Sequence, residues 1–110
     1  MNHKKMAMIN YIRWSDVFRY ENRFEEALSL LEKAKGILIN NNFTDYEDIY
    51  FQHKGKIHFD CQDFAVANLN FEKVLEIRLK KKNLELIKST HFAIEMNLRK
   101  LQMNIQSRMP

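Results

Sequence analysis

The sequence predicts an all-α fold: antiparallel helix-turn-helix repeats written twice and closed by a C-terminal capping helix. Three observations predict it. Glycine and proline are scarce, two and one among 110 residues, and the proline comes last. A fold rich in tight turns needs more of both. Apolar residues recur at steps of three and four, the period of a helix with one packed face. The chain also repeats itself 40 positions on, with RFEEALSLLEKA at 23–34 returning as DFAVANLNFEKV at 63–74. A fixed period of this length marks a helical repeat, in which each helix pair buries its face against the next.

The elements follow in order. The first helix is expected over about 5–20. There Tyr11, Trp14, Ser15 and Phe18 step by three, one and three and put an aromatic stripe with one small residue on one face. The polar break Tyr20-Glu21-Asn22-Arg23 leads to a second helix, 24–40, whose packed face carries Phe24, Ala27, Leu31 and Ala34. Glu25 and Glu26 open it, at the dipole end that favours acids. Asn40, Asn41 and Asn42 end it. Thr44 and Glu47 have the spacing of a capping box, so a third helix is expected over 45–60, with Phe51, Gly55 and His58 on its packed face. Asp63 suits the N-cap of a fourth helix, 64–82, with Phe64, Ala67, Phe71 and Val74. Lys80, Lys81 and Lys82 stand near its end, where cations complement the dipole. Asn83 suits the N-cap of a fifth, 84–106.

Overlaying residue i on i+40 needs no gap. Ser15 falls on Gly55, Phe24 on Phe64, Ala27 on Ala67, Leu31 on Phe71 and Glu32-Lys33 on Glu72-Lys73. The small residues let paired helices approach closely, and the large ones fill the groove beside them. The chain thus reads as a single domain, 1–110, with repeat 1 over about 8–41, repeat 2 over about 45–82 and the capping helix over about 84–106.

Charge and composition exclude several function classes. The formal net charge is +4, but Lys and Arg alternate with Asp and Glu along the whole chain. That is a solvated helix surface and not a basic face for nucleic acid. A single cysteine, Cys61, allows no intrachain disulfide and suits a reducing compartment. The stretch MNHKKMAMINYIRWSD lacks the apolar core of a signal peptide. No 18 apolar residues run together, so no membrane helix is expected and the chain is placed in the cytoplasm.

Catalytic chemistry finds no foothold. His58 and Cys61 lie three apart on one helix, but two ligands make an incomplete zinc site and no second pair has matching spacing. Ser89, Thr90 and His91 are adjacent without a glycine elbow and read as helix surface. Two glycines cannot build a phosphate-cradling loop. No catalytic residue, metal ligand or cofactor is assigned, and the chain is read as a non-enzyme. The methionines gather toward the two ends, at Met1, Met6, Met8, Met96, Met103 and Met109, and read as core or as the seam with a partner.

The order Tyr11, Trp14, Ser15, Phe18, Phe24, Ala27, Leu31, Ala34, and its second copy Phe51, Gly55, Phe64, Ala67, Phe71, Val74, resembles the tetratricopeptide repeat over residues 8–77. The period is 40 in place of the usual 34, the closing proline is missing, and Lys54 and His58 replace large apolar residues. The longer period is similar to that of bacterial peptide-sensing regulators, the group of the PlcR, NprR and Rap proteins. The resemblance implies a right-handed superhelix whose concave side binds a peptide or protein segment. It places Ile9, Ile12, Arg13, Asp16, Arg19 and Tyr20 of the first unit, and Ile49, Gln52, His53, Lys56, Phe59 and Asp60 of the second, on that concave side. The polar members, Arg13, Asp16, Arg19, Tyr20, Gln52, His53, Lys56 and Asp60, are the candidate peptide-binding residues. No helix-turn-helix segment and no Rap-type bundle precedes the repeats. The expected function is therefore an interaction module, a truncated relative or fragment of such a regulator. The alternatives are a structural or dimerisation piece with no ligand of its own, or a fragment of a Rap-like phosphatase-type regulator. A homodimer is expected as well. Met6, Met8, Ile9, Tyr11, Ile12 and Trp14 cover too much of the first helix for one buried face, and two repeats leave stacking surface open.

Overall fold

The computed structural model describes residues 3–82 and 84–107. They form α1 (His3–Tyr20), α2 (Phe24–Asn40), a short 3-10 turn (Thr44–Tyr46), α3 (Glu47–Asp60), α4 (Phe64–Lys81) and α5 (Leu84–Ser107), with no strand among the described residues. Each helix packs mainly on its neighbour in sequence: α1 on α2, α3 on α4, α4 on α5. The two pairs are joined where α3 meets both α2 and α1. The shape is a slab of 58 × 33 × 19 Å. Its short dimension is about two helix diameters, hence two layers.

The joints repeat as the sequence does. Asn22 and Gln62, 40 positions apart, are left-handed with φ of 61° and 66°. Each begins a reverse turn that closes a helix. Arg23 N–H donates to Phe18 O, and Asp63 N–H to His58 O, both at 2.8 Å. The tighter bonds nested inside them, Asn22 N–H to Arg19 O and Gln62 N–H to Phe59 O, are both 3.0 Å. These bonds satisfy the last helical carbonyls, the standard way a helix is stopped with its chain reversed. Asn42 and Lys82, again 40 apart, are also left-handed, with φ of 56° and 58°.

The core is apolar and follows the register. Met8, Ile12, Ala27, Leu31, Ala34, Leu38, Tyr50 and Ile57 form one cluster, and Ala67, Phe71 and Val74 are buried at the matching places of the second pair. Gly55 lies so close to α4 that a Cβ there would stand 2.6 Å from a Phe71 ring carbon. At the same register of the first pair stand Ser15 and Leu31, both fully buried. Ser15 satisfies its hydroxyl by donating to Ile12 O at 2.5 Å.

Four expectations are corrected. Trp14 is 56% exposed and is not on the packed face of α1. That face centres on Met8, Ile12 and Ser15, and Trp14 lies roughly 120° round the helix from it at about 100° per residue. Thr44 and Glu47 form no capping box, because Thr44 opens the 3-10 turn and α3 starts only at Glu47, with no side-chain cap bond. Asp63 does occupy the cap position of α4, but its side chain makes no cap bond and faces His58 Nδ1 at 3.6 Å. Thr90 is not helix surface; it is 3% exposed. The proposed cap Asn83, and Met1 and Met109, lie outside the described residues.

Candidate functional site

α3 lies between α1 and α5 and shares a cleft with each. The α1–α3 cleft, about 350 Å³, is lined by Ile9, Ile12, Arg13 and Asp16 from α1, by Ile49 and His53 from α3, and by Tyr46. The helical period explains the set: residues 9, 12, 13 and 16 of α1 fall on one stripe, as do 49 and 53 of α3. Past its polar end the two helices are tied by charge. Arg19 Nη1 donates to Asp60 Oδ2 at 2.7 Å and Nε to Asp16 Oδ1 at 3.3 Å. His53 Nδ1 donates to the same Asp16 oxygen at 3.1 Å. Burial works against the Arg19 charge, but its bonds to Asp60 and Asp16 outweigh burial and raise its pKa. Burial pushes His53 below the ordinary histidine value, and Lys56 and Arg19 push the same way against the pull of Asp16. His53 is therefore neutral at pH 7 and donates to Asp16 as an uncharged imidazole.

The α3–α5 cleft has two adjoining parts. One, about 210 Å³, is lined by Gln52 and Lys56 of α3, Phe71, Val74 and Arg78 of α4, and Ser89, Thr90, Phe92 and Ala93 of α5. The other, about 270 Å³, shares Lys56, Phe71, Phe92 and Ala93 and adds Phe59, Asp60 and Met96. Under the first part lies a buried ionic network. Arg78, 3% exposed, donates from Nε to Asp48 Oδ2 at 3.1 Å, from Nη1 to Thr90 Oγ1 at 2.8 Å and from Nη2 to Gln52 Oε1 at 3.0 Å. Lys81 Nζ holds the other Asp48 oxygen at 3.3 Å. Thr90 passes its own hydrogen to Leu86 O at 2.6 Å. One guanidinium thus ties α3, α4 and α5 together.

Of the eight candidate binding residues, Asp16, Arg19, His53 and Asp60 meet in one cluster across α1 and α3. Arg13 lines the cleft beside them. Gln52 and Lys56 face the α5 side. Tyr20 is exposed and lines neither cleft, its ring lying under the Arg19 guanidinium at 4.5 Å. Sequence reasoning missed Asp48, Arg78, Thr90 and the α5 wall of Phe92, Ala93 and Met96. The 40-residue register carries the missing signal. Asp48, Gln52 and Arg78 stand where the first pair has Met8, Ile12 and Leu38, all three buried and apolar. Two opposite charges that both replace core residues announce a buried pair.

His58 and Cys61 do not converge with a third ligand: no group of three or more His, Cys, Asp or Glu is placed to hold a metal ion among the described residues. Burial raises the Cys61 thiol pKa, with Asp60 and Asp63 adding to it, the opposite of an activated nucleophile. No helix among the described residues is long and apolar enough to cross a membrane. No family model matches the chain, and no curated protein or solved structure matches it either.

Proposed function

We propose that the chain is a non-enzymatic interaction module of the cytoplasm, built as a tetratricopeptide-like solenoid, which receives a peptide or protein segment along the face made by α1, α3 and α5. The observation that carries this reading is the pair of clefts flanking α3. Both run beside one helix and offer apolar walls with polar groups at their edges, the composition a segment's backbone and side chains need. The charged cluster of Asp16, Arg19, His53 and Asp60 sits between them and fixes the spacing of α1 and α3. Screening a random heptapeptide library against the protein and mapping hits by amide chemical shifts tests the reading. Shifts confined to α1, α3 and α5 support it. Hits that map to α2 and the back of α4, or no hits at all, defeat it.

A second reading concerns assembly. Met6, Trp14 and Val17 are all exposed on α1, an apolar surface at the open end of the stack that a second copy would cover in a homodimer. Light scattering at micromolar concentration decides it, and a monomer mass removes the dimer.

A further inference from the structure

The geometry points to a ligand pocket between α3 and α5 that takes a carboxylate carried on an apolar body, with the carboxylate set over Arg78 and Lys56 and the body against Phe59, Phe71, Phe92 and Met96. This goes beyond the reading of the face as a docking surface. It names a pocket and the chemistry of its occupant, and it stands or falls by itself.

The first support is the electrostatic balance. The part of the cleft beside Arg78 is lined by two cations, Lys56 and Arg78, two hydroxyls, Ser89 and Thr90, and no carboxylate. Asp48 lies beneath, and its single charge is already shared between Arg78 at 3.1 Å and Lys81 at 3.3 Å. The network therefore keeps a positive charge of about one, and Lys56, which lines the same part of the cleft, adds another. Arg78 has five N–H groups. Three are used by Asp48, Gln52 and Thr90, which leaves one hydrogen on each terminal nitrogen uncommitted among the described residues. A guanidinium N–H donates a strong, charge-assisted hydrogen bond to a carboxylate.

The second support is that the fold does not require a charge there. At the same register of the first pair, Met8, Ile12 and Leu38 fill the space with apolar atoms and are buried. A buried ion pair is at best neutral for stability compared with such packing. The second pair nonetheless carries Asp48, Gln52 and Arg78, and there the helices leave a cavity lined by Arg78.

The third support is the adjoining apolar part. Phe71 and Phe92 wall both parts, so the anionic and apolar groups of an occupant must be joined through a few bonds. Asp60, at the far rim, shares the single charge of Arg19 with Asp16, at 2.7 and 3.3 Å, so an occupant's carboxylate belongs at the Arg78 end and its apolar body toward this rim. Phe92 is 66% exposed and leaves the entrance open. An arylalkyl acid meets this description, and so does the last residue of a peptide chain, which bears its carboxylate and side chain on one Cα.

The test uses 3-phenylpropionate and its amide as probes, with N-acetyl-Gly-Phe as free acid and as amide, followed by amide and Arg78 Nε–H chemical shifts. Both acids, or one of them, should move resonances of α3, α5 and Arg78, and the amides should bind about tenfold or more weakly, the loss of a charge-assisted contact. Acid binding stronger for the dipeptide makes the occupant a chain terminus; binding of phenylpropionate alone makes it a small molecule. Lys56→Gln should weaken the acid severalfold. The triple variant Asp48→Met, Gln52→Ile, Arg78→Leu copies the first pair, should stay folded, and should lose the preference for acid over amide. Equal binding of acid and amide, no shift with either acid at millimolar concentration, or unchanged acid preference in the folded triple variant overturns the proposal. A protein that binds library peptides but ignores the terminal carboxylate loses this proposal and keeps the function above.

Discussion

Gly55 of α3 and Phe71 of α4 are packed in direct contact: a Cβ on Gly55 would meet two Phe71 ring carbons at 2.6 and 2.8 Å. The first pair solves the same crossing with a larger residue on one side and a smaller one on the other, Ser15 and Leu31.

Gly55→Ala should therefore destabilise the protein by about 1–3 kcal/mol through overpacking, although alanine favours a helix by about 1 kcal/mol over glycine. Gly55→Ser with Phe71→Leu, which copies the first pair, should recover more than the sum of the single changes allows. Thermal denaturation of the four proteins checks it; strict additivity would disprove the crossing.

Removing one side of the buried network should be worse than removing all of it. Arg78→Leu leaves Asp48 buried with Lys81 alone and should lose about 3–5 kcal/mol. Asp48→Met, Gln52→Ile and Arg78→Leu together should lie within about 2 kcal/mol of the parent or exceed it, as replacement of a buried ion pair by packed apolar groups usually does. Urea midpoints of the single and triple variants make the comparison.

The left-handed joint predicts a gain. Gln62 holds φ of 66°, a conformation in which a side chain clashes and glycine does not. Gln62→Gly should raise stability by up to about 1 kcal/mol, whereas Lys80→Gly, inside α4, should lower it by about 1 kcal/mol. Opposite signs in the two melting temperatures are the expected result.

Stability should fall as the solution turns acid. His53 and His58 both titrate below the ordinary histidine value, each chiefly because burial disfavours its charge. The unfolded chain therefore takes up protons first, as pH drops through about 6.5, and unfolding is favoured down to the folded-state values. For His53 the neighbours that share in this are Asp16, Lys56 and Arg19. His53→Gln should flatten part of the slope between pH 7 and 5 and His58→Gln another part. Denaturant midpoints across that window test it, and an unchanged slope in both variants would count against the buried placement.

Much of the helical layout was legible because it rests on local chemistry and on a register the chain states twice. Phe24–Asn40 was located to the residue, and the bend after Tyr20 follows from a polar break in an apolar period. What escaped was decided by partners far along the chain. Arg78 sits in IRLKKK, which looks like a solvated run, and only Asp48 30 positions earlier and Thr90 12 later make it a buried group. Thr44 and Glu47 had the right spacing for a cap, yet the chain turns there in a 3-10 turn and the helix begins late. The candidate site was half visible. The α1 and α3 stripes could be read from helical spacing, while the α5 wall depended on which face of a long helix packs on α4.

The bends at Asn22 and Gln62 share their hydrogen bonds, and the residues that follow, Arg23 and Asp63, leave them with nearly the same dihedrals, φ −95°, ψ 70° and φ −92°, ψ 70°. Residues 23–62 consequently form a cassette: its two ends meet the chain at the same angle. A second copy spliced in after Gln62 would enter on the path that α4 now takes and hand the chain on in the direction α4 now receives it. The molecule could thus be lengthened by a helix pair at a time, with the face of α1 and α3 extended and no new joint to invent.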